Sequence, residues 1–268
     1  MNKHLVLVLI LGLASQAAAE IIDNWEGPEW TPGIDSIPPT TNGWQTYAVW
    51  TFGEIEINNS VGYLGTVGGE VNLASGTDYR YYGAHPIKQL PAPVTSGTLT
   101  HYALLKMSDD ADHGLIAISM LEQNPNNHVE LSFGSRGTGR LKSNTLSGSS
   151  SEVLFDASWM ATAGWFAAEM TVTGIGTGTP TVSGRYRDVD DNTEAYIGDW
   201  VTVGSISDST VISTSSVWFQ GFYIGDFGNV WNPTPFGWVD RINDPIPEPA
   251  TLAVLALGGL TVLQRRRR

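Results

Sequence analysis

Two glutamates at alternate positions, Glu54 and Glu56, are the residues of this chain whose spacing best suits acid–base chemistry. Alternate residues of a β-strand face the same side of a sheet, so their carboxylates would share one surface. Two carboxylates beside a common cleft are what hydrolysis of a glycosidic bond requires. The next position on that side is Asn58, which can serve neither as the acid nor as the nucleophile. We therefore interpret the segment as a strand face with solvated carboxylates, and hydrolysis there as the less favoured alternative.

Three oxygen-bearing side chains, Asp188, Asp190 and Asn192, have the spacing of the first ligands in a calcium-binding loop. An EF-hand loop would continue with glycine at its sixth position and glutamate at its twelfth, and this chain has neither there. The alternative is a polar hairpin turn between two strands. A second acidic turn, from Ser108 to His113, has the same two interpretations. The sequence predicts no cofactor and leaves calcium open at these two turns.

Aromatic residues crowd the segment from Trp218 to Trp238. Such rings commonly pack in a core, and we expect two adjacent strands here to bury most of them. The loop between these strands contains Trp231, with Asp226 and Asn229 close by. An exposed ring flanked by polar groups can stack on a sugar while the polar side chains hold its hydroxyls. This loop is therefore the candidate carbohydrate-binding site in the sequence.

The elements that must position these residues are β-strands. The body consists of short apolar runs, several with strict alternation, separated by clusters of Gly, Asn, Asp and Ser. About a dozen strands with polar turns predict an all-β fold of two packed sheets, a jelly-roll sandwich. We expect the proline-rich segment Pro86–Ser96 to be a crossing connection, Asn144–Ser151 a surface loop and Asp156–Gly164 a short helix or turn. The candidate strands are Trp44–Phe52, Val61–Gly65, Leu99–Met107, Gly114–Leu121, His128–Phe133, Glu152–Phe155, Trp165–Thr173, Thr181–Arg187, Glu194–Val203, Val217–Ile224 and Gly237–Ile242.

Composition excludes some classes of function. The chain has 14 basic and 27 acidic residues, and five of the basic ones lie in its two end segments. Residues 20–250 thus carry 9 basic and 27 acidic residues, so we expect no nucleic-acid partner, because such a surface repels phosphates. There is no cysteine, so stability must come from a hydrophobic core instead of disulfides. Ten tryptophans make such a core credible.

The beginning of the chain carries a secretion pattern. Lys3 precedes the apolar segment Leu5–Leu13, and the small residues Ala17–Ala19 provide a cleavage site. This pattern predicts a signal peptide at residues 1–19. Residues 20–244 have the length of one large all-β domain and contain no linker-like stretch, so we expect a single β-sandwich domain there. Residues 245–268 form a separate tail.

The tail has three parts in a fixed order: Pro247-Glu248-Pro249, the apolar run Thr251–Leu263, and the four arginines Arg265, Arg266, Arg267 and Arg268. The prolines keep the chain around Glu248 extended. The apolar run predicts a short hydrophobic helix, which with Ala250 would rise about 21 Å. A bilayer core is about 30 Å thick, so the helix suits a transient membrane stop better than a permanent span. The arginines should remain on the cytoplasmic side.

These residues resemble the PEP-CTERM sorting signal of Gram-negative bacteria. The resemblance implies that the tail is recognised by an exosortase, a membrane enzyme similar to cysteine transpeptidases. It also implies transient anchoring in the inner membrane, followed by delivery to the cell surface or the extracellular matrix. The alternative is an ordinary C-terminal anchor in which Pro247-Glu248-Pro249 is incidental.

The order of landmarks in the body resembles the concanavalin A-like (laminin-G-like) jelly roll carried by many PEP-CTERM proteins. Enzymes of the laminarinase type within this fold carry Glu-x-Asp-x-Glu on one strand. This chain departs from that pattern at two of the three positions, with Glu56 and Asn58, which puts the hydrolase activity in doubt. The landmarks are Trp44 in an Asn-Gly-Trp turn, Gly68-Gly69-Glu70-Val71, the strand Leu99–Met107 with the acidic turn after it, and the late pair Val217–Ile224 and Gly237–Ile242.

Together these features predict an exported cell-surface or biofilm-matrix protein that is not an enzyme and that binds or organises extracellular polysaccharide. The expected partners are an exosortase-type processing enzyme, extracellular polysaccharide and, transiently, the inner membrane. Two alternatives stay open. One is a glycan-active hydrolase with an atypical site at Glu54 and Glu56. The other is a purely structural matrix protein with no specific ligand.

Overall fold

Alternation of apolar and polar residues dominates the body, and such a chain forms strands whose two sides differ in burial. The computed structural model describes residues 36–37, 43–46, 53–58, 62–66, 68–73, 82–107, 114–123, 127–134, 137–144, 150–159, 164–193, 195–207, 216–226 and 237–243. Within these ranges the chain forms strands that pair antiparallel throughout. They are β1 Ser36–Ile37, β2 Trp44–Thr46, β3 Gly53–Asn58, β4 Gly68–Leu73, β5 Tyr82–Ala84, β6 Pro86–Val94, β7 Gly97–Met107, β8 Gly114–Leu121, β9 His128–Gly134, β10 Thr138–Asn144, β11 Ser150–Asp156, β12 Phe166–Ile175, β13 Thr181–Val189, β14 Tyr196–Ser207, β15 Val217–Asp226 and β16 Gly237–Asp240.

These strands form two sheets. The first sheet has the order β1-β3-β4-β16-β7-β12-β13-β14, and the second has the order β11-β10-β9-β8-β15-β6-β2, with β5 also paired to β15. Neighbours in each sheet often come from distant parts of the chain, as with β16 between β4 and β7. The predicted all-β fold of two packed antiparallel sheets is therefore confirmed.

Strand β12 shows how the sequence pattern builds the layers. Phe166, Met170 and Val172 are fully buried and belong to the main hydrophobic core between the sheets. The alternate residue Glu169 points to the other side of the first sheet, where it is partly exposed. The first sheet thus has an inner side that packs on the second sheet and an outer side, which we call the outer face.

Aromatic rings fill one end of the inner layer. Phe133 of β9 is fully buried, and it makes edge-to-face contacts with Phe155, Trp159, Phe166 and Tyr186 at centroid distances between 4.9 and 6.1 Å. Such contacts add to the stabilisation from burying the rings. They join strands of both sheets, because Phe155 belongs to β11 whereas Phe166 and Tyr186 belong to β12 and β13.

A buried polar network also joins the two sheets. His101 of β7 has its Nδ1 3.1 Å from Asn243 Oδ1 and its Nε2 2.8 Å from the carbonyl of Gly221 on β15. The amide of Asn243 donates to Gln220 at 2.9 Å and accepts from the backbone N–H of Tyr102 at 2.7 Å. Burial lowers the pKa of His101. Asn243 and Gln220 are paired within the set, whereas both nitrogens of His101 face oxygens, and a neutral imidazole can donate to only one of them.

Several strand predictions are wrong. The predicted strand Val61–Gly65 contains a 3-10 turn, Tyr63–Gly65, in which Leu64 has a φ of 56°. The turn is held by buried contacts to distant residues, which local alternation does not report. Strands β1, β3, β4, β5, β6 and β10 lie outside every predicted strand, and β2 covers only the start of Trp44–Phe52. The remaining predicted strands coincide with observed strands and differ from them only at their ends. The predicted hairpin of Thr181–Arg187 with Glu194–Val203 is confirmed as β13 and β14.

The prediction that Pro86–Ser96 is a connection is also wrong, because its residues 86–94 form β6. Proline cannot donate to a ladder, so it is normally confined to strand starts, edges and irregular stretches. Pro86 starts the strand, and Pro91 and Pro93 fall where the register with β15 shifts. In the described residues, β2 pairs with β6 only as far as Lys88, so the later prolines have no ladder on that side.

The predicted signal peptide, the apolar tail helix and most of the serine-rich loop lie outside the described residues. The described part of the chain contains no helix with the length and apolar character needed to cross a membrane.

Candidate functional site

The outer face of the first sheet carries a row of aromatic and cationic side chains. They come from β7, β13, β14 and β16, where alternation directs every second residue away from the inner layer. They are half-buried instead of fully enclosed. The members are Lys106, Arg185, Arg187, Tyr196, Trp200 and Trp238.

Each cation of this row lies against a ring. An arginine or lysine within about 6 Å of a ring centroid is attracted to the negative face of the ring. A further arginine at the margin of the face makes a similar contact. The distances to the ring centroid are 4.2 Å for Arg185 over Trp200, 4.6 Å for Arg187 over Tyr196, 5.5 Å for Lys106 over Trp238 and 6.0 Å for Arg241 over Tyr63.

Glu169 fixes the orientation of one arginine. It lies directly across from Arg185 in the register of β12 and β13. The guanidinium donates from Nε to Oε1 at 2.7 Å and from Nη2 to Oε2 at 2.9 Å, a two-point pair. The side chains of Glu169 and Arg185 are 18% and 42% exposed, so water screens the pair. The pair therefore orients the Arg185 side chain more than it stabilises the fold.

A small hydrophobic cluster supports the row from below. It contains buried residues of β7, β12 and β13 together with the ring of the 3-10 turn. The hydroxyl of Tyr63 donates to the carbonyls of Asp190 and Thr193, which ties this turn to the loop after β13. The buried members are Tyr63, Tyr102, Leu104, Trp165, Ala167 and Val189.

Asp240 holds the 3-10 turn on the face. It is only 2% exposed and accepts from the backbone N–H of Tyr63 at 2.9 Å, from Thr66 Oγ1 at 3.1 Å and from the N–H of Arg241 at 2.7 Å. Burial nevertheless raises the pKa of Asp240 to about 6, and the hydrogen bonds offset only part of that effect. The carboxylate of Asp240 therefore uses its hydrogen bonds to hold the fold together.

A cleft of about 450 Å³ opens at the margin of the outer face, where the loop after β13 meets the segment before β12. Asp191 accepts from the backbone N–H of Trp165 at 2.9 Å, and its carboxylate occupies the space that a Cβ on Gly164 would need. A side chain at position 164 would therefore displace the Asp191 carboxylate from this hydrogen bond. The lining residues are Trp159, Gly164, Trp165, Asp188, Val189, Asp190, Asp191, Asn192 and Ile197.

The predicted calcium residues Asp188, Asp190 and Asn192 all line this cleft. Asp190 Oδ1 accepts from the backbone N–H of Asn192 at 2.8 Å, which is how an Asp side chain closes a tight turn. Partial burial raises the pKa of Asp188 above its ordinary value. The described residues contain no group of three His, Cys, Asp or Glu side chains placed to hold a metal ion. Calcium binding stays a prediction.

The other predicted site residues are only partly described. Glu54 and Glu56 lie on β3, between β1 and β4, and their side chains are outside the described residues. Asp226 ends β15, and its side chain is likewise not described. Asn229 and Trp231 lie outside the described residues, as does the tail from Pro247 to Arg268. The structure thus brings together the residues of the predicted calcium turn, and leaves the predicted sugar loop untested.

Sequence reasoning missed the outer face. One local signal was available, because Arg185 and Arg187 alternate on a predicted strand and so must share a side. Their partners Tyr196 and Trp200 come from the next strand, whereas Lys106 and Trp238 come from β7 and β16, which are distant in the chain from β13. No spacing rule connects residues paired across such distances.

The comparisons with known proteins concern the tail and the fold. Residues 245–268 match the model of the PEP-CTERM protein-sorting motif, which confirms the resemblance of the tail. The motif implies export and sorting to the cell surface. No curated protein sequence matches the chain.

Among solved structures, the sandwich is similar to a Bacteroides ovatus GH16 protein of a mixed linkage glucan PUL, in complex with a G4G4G3G product. The two share 8% identity over 83% of this chain and 98% of that one, with a TM-score of 0.51. Arcelin-5, a lectin-like defense protein from Phaseolus vulgaris, is similar at 10% identity, over 84% and 96% of the chains, with a TM-score of 0.46. The carbohydrate-binding module CBM66 from Bacillus subtilis is similar at 12% identity, over 75% and 93%, with a TM-score of 0.41. At these identities only the fold is shown, and the first likeness confirms a two-sheet sandwich resembling the concanavalin A-like jelly roll.

Proposed function

We propose that this chain is an exported, non-enzymatic protein of the cell surface or biofilm matrix, and that its sandwich binds extracellular polysaccharide through the outer face. In this proposal an exosortase-type enzyme processes the tail while the chain is transiently anchored in the inner membrane. The sorting motif at residues 245–268 supports the delivery part. The outer face supports the binding part.

The observation that carries the binding proposal is the set of three half-buried rings, Tyr196, Trp200 and Trp238, each beside a cation on one sheet face. Rings that keep part of their surface in water can stack on the apolar side of a sugar, and neighbouring N–H groups can donate to its oxygens. The buried cluster beneath them holds the rings in place, so little ordering is needed when a ligand binds.

The described carboxylates of the outer face favour binding over hydrolysis. Glu169 is paired with Arg185, and Asp240 is buried under the 3-10 turn. An acid held in a two-point ion pair and an acid enclosed by the fold are poorly placed to act as the paired carboxyl groups of a glycosidase.

Binding can be tested with the full-length chain on an array of soluble and insoluble polysaccharides. Trp200→Ala should reduce retention on the bound polymer at least tenfold, because it removes a stacking surface and the support of Arg185. Trp218→Ala is the matched control, since Trp218 is a half-buried ring on β15 of the second sheet. Equal losses in both variants, or no retention of the wild-type chain on any polymer, would overturn the proposal.

Processing can be tested separately, by mass spectrometry of the mature C-terminus from cells with and without the exosortase-type enzyme. Loss of the tail after Pro247-Glu248-Pro249 only in cells that contain the enzyme is the expected result. A tail that stays intact to Arg268 in both cultures would leave a plain membrane anchor.

The second candidate function is glycan hydrolysis at β3. The alternate placement of Glu54 and Glu56 on an observed strand favours it. Turnover of a β-glucan by the wild-type chain that disappears in Glu54→Gln would establish this candidate. Inactivity across a polysaccharide panel would exclude it, and binding to no polymer would favour the purely structural alternative.

A further inference from the structure

We infer that the folded sandwich restricts the access of the processing enzyme to the sorting motif. The tail is then cut mainly in molecules in which the end of the sandwich, residues 241–243, has detached; we call this segment the terminal anchor. This inference rests on the proposed processing of the tail and adds how that processing is regulated. It is carried by the short length of chain between the last residue buried in the sandwich and the motif.

The sandwich encloses the chain as far as the terminal anchor. Val239 and Ile242 are fully buried in the main hydrophobic core, and Asn243 is only 6% exposed. The preceding strand, β16, lies inside the first sheet and pairs with both β4 and β7. Its hydrogen bonds on both sides and its buried side chains oppose detachment. The chain is therefore held in place up to a point just before the sorting motif.

Polar contacts hold Asn243 itself. Its backbone N–H donates to the carbonyl of Tyr102 at 2.8 Å, and its Oδ1 accepts from the backbone N–H of Tyr102 at 2.7 Å. Its side-chain nitrogen donates to Gln220 Oε1 at 2.9 Å. Tyr102 belongs to β7 and Gln220 to β15, so the last described residue of the chain is tied to a strand of each sheet.

The chain between the terminal anchor and the motif is short. Only residues 244–246 separate Asn243 from Pro247-Glu248-Pro249. An extended chain spans at most about 3.6 Å per residue, so Glu248 lies within about 18 Å of Asn243 in the folded protein. The apolar run that begins at Thr251 starts within about 29 Å of the same point. The motif is therefore confined between the sandwich and the membrane stop while the fold is complete.

The sandwich itself occupies part of this space. Asn243 lies beside Tyr102, and β7 continues from there to Gly97 in the direction in which β16 runs. The neighbouring strand β12 continues to Ile175, which pairs with Gly97. At about 3.3 Å per residue, these strands extend about 17 Å past Asn243. A chain that continued in this direction would still lie beside them at Glu248, where they obstruct an enzyme that must enclose the backbone around the bond it cuts.

Detachment of the terminal anchor removes this obstruction. Segments of a protein open locally with free energies below that of global unfolding. Where opening and closing are fast relative to cleavage, the rate of cleavage follows the population of the open form. A variant that weakens the terminal anchor should therefore be cut faster. A flexible spacer placed after the terminal anchor should have the same effect while the sandwich stays closed.

The test measures the half-time of tail cleavage, by pulse-chase labelling of the full-length chain in cells that contain the exosortase-type enzyme. Mass spectrometry of the product locates the cut. Insertion of about twelve Gly and Ser residues between Asn243 and Asp244 adds about 20 Å of reach. This insertion should shorten the half-time about threefold or more, because the motif no longer depends on opening. Asn243→Gly, which removes the side-chain contacts of the terminal anchor, should shorten it by a similar factor.

Each change has a matched control. The same insertion after Gly178, in the turn between β12 and β13 where no atom crowds the backbone, lengthens the chain without moving the motif. Asn192→Gly makes the same exchange in an exposed turn. Both controls should keep the half-time of the wild-type chain. Equal acceleration in a change and its control would overturn the role of the terminal anchor.

The remaining outcomes separate this inference from the proposed processing. Equal half-times in the wild-type chain and in both variants would overturn the inference and leave the processing in place. Slower cleavage after the insertion would also overturn it, and would mean that the enzyme uses the sandwich as a docking surface. No cleavage in any of these chains would overturn the processing itself. If Asn243→Gly fails to fold, the insertion decides, because it leaves every residue of the sandwich unchanged.

Discussion

In the inner layer, Phe133 packs edge-on against four other rings and is fully buried. On the outer face, Trp200 and Tyr196 lie beside arginines and keep part of their surface in water. The two regions use the same residue types on opposite sides of one sheet. A charge brought between the sheets would lose its hydration, whereas a charge over a half-buried ring keeps much of it.

Stability and recognition depend on opposite sides of the first sheet. Rings enclosed by other rings contribute through the area they bury and cannot meet a ligand. Rings on the outer face bury less, but they remain available and are oriented by the small cluster beneath them. Substitutions in the inner layer should therefore mainly reduce stability, whereas substitutions on the outer face should mainly reduce ligand binding.

The largest effect is expected at the centre of the inner layer. Phe133→Ala should lower the free energy of unfolding by about 4 kcal/mol, because it removes a buried ring and leaves a cavity. Denaturant titration followed by tryptophan fluorescence would measure this loss. Leu154→Ala is the control, because Leu154 on β11 is 58% exposed and should matter by less than about 1 kcal/mol. Similar losses in the two variants would contradict the assignment of the core.

The polar network of the inner layer should come next. Asn243→Gly deletes the amide that joins His101, Gln220 and Tyr102, and glycine tolerates the φ of 53° at this position. We expect a loss of about 3 kcal/mol, because several buried groups lose their partners. Asn192→Gly, in the exposed turn, provides the comparison in the same unfolding assay. A loss of less than about 1 kcal/mol in Asn243→Gly would mean that water replaces the amide.

A smaller effect is expected from pH at the base of the outer face. The folded protein holds the proton of Asp240 more tightly than the unfolded chain, since burial raises the pKa from 3.8 to about 6. Ionisation therefore costs stability as the pH rises through this window. Between about pH 4.5 and 7 the contribution should amount to about 2 kcal/mol lost. Unfolding curves of Asp240→Asn should lack this component, whereas Asp199→Asn, at an exposed site on β14, should retain it; identical pH profiles in the two variants would refute it.

The smallest effect on stability is expected from the ion pair of the outer face. A double-mutant cycle with Glu169→Gln and Arg185→Gln should give a coupling energy below about 1 kcal/mol, because both side chains are partly exposed. The same variants should change polysaccharide affinity more than they change stability. A coupling of several kcal/mol would show that this part of the outer face behaves like the inner layer.

Local patterns predicted a substantial part of the fold. The apolar run Trp165–Thr173 anticipated β12, and the polar turn after Arg187 anticipated the hairpin of β13 with β14. The failures had physical causes. The prolines of β6 are tolerated because of its register shift and partial pairing, and the turn at Tyr63 depends on Asp240, which is 177 residues away.

The candidate site was less predictable than the fold. Asp188, Asp190 and Asn192 were singled out for their spacing, and they line one cleft, but their described hydrogen bonds belong to a turn. The outer face was not anticipated, because Trp238 reaches Lys106 only through the pairing of β16 with β7. A strand pairing between distant segments has no local signature.

By itself the sequence determined the sorting tail, the acidic charge, the dependence on a hydrophobic core and the two-sheet architecture, because each follows from composition, local order or period-two alternation. Only the tertiary structure decided which strands are neighbours, and therefore which ring lies under which cation. Side chains on one sheet face meet according to strand order and register, and these are set by burying the whole inner layer at once. The region best suited to bind a ligand is thus a product of the fold as a whole.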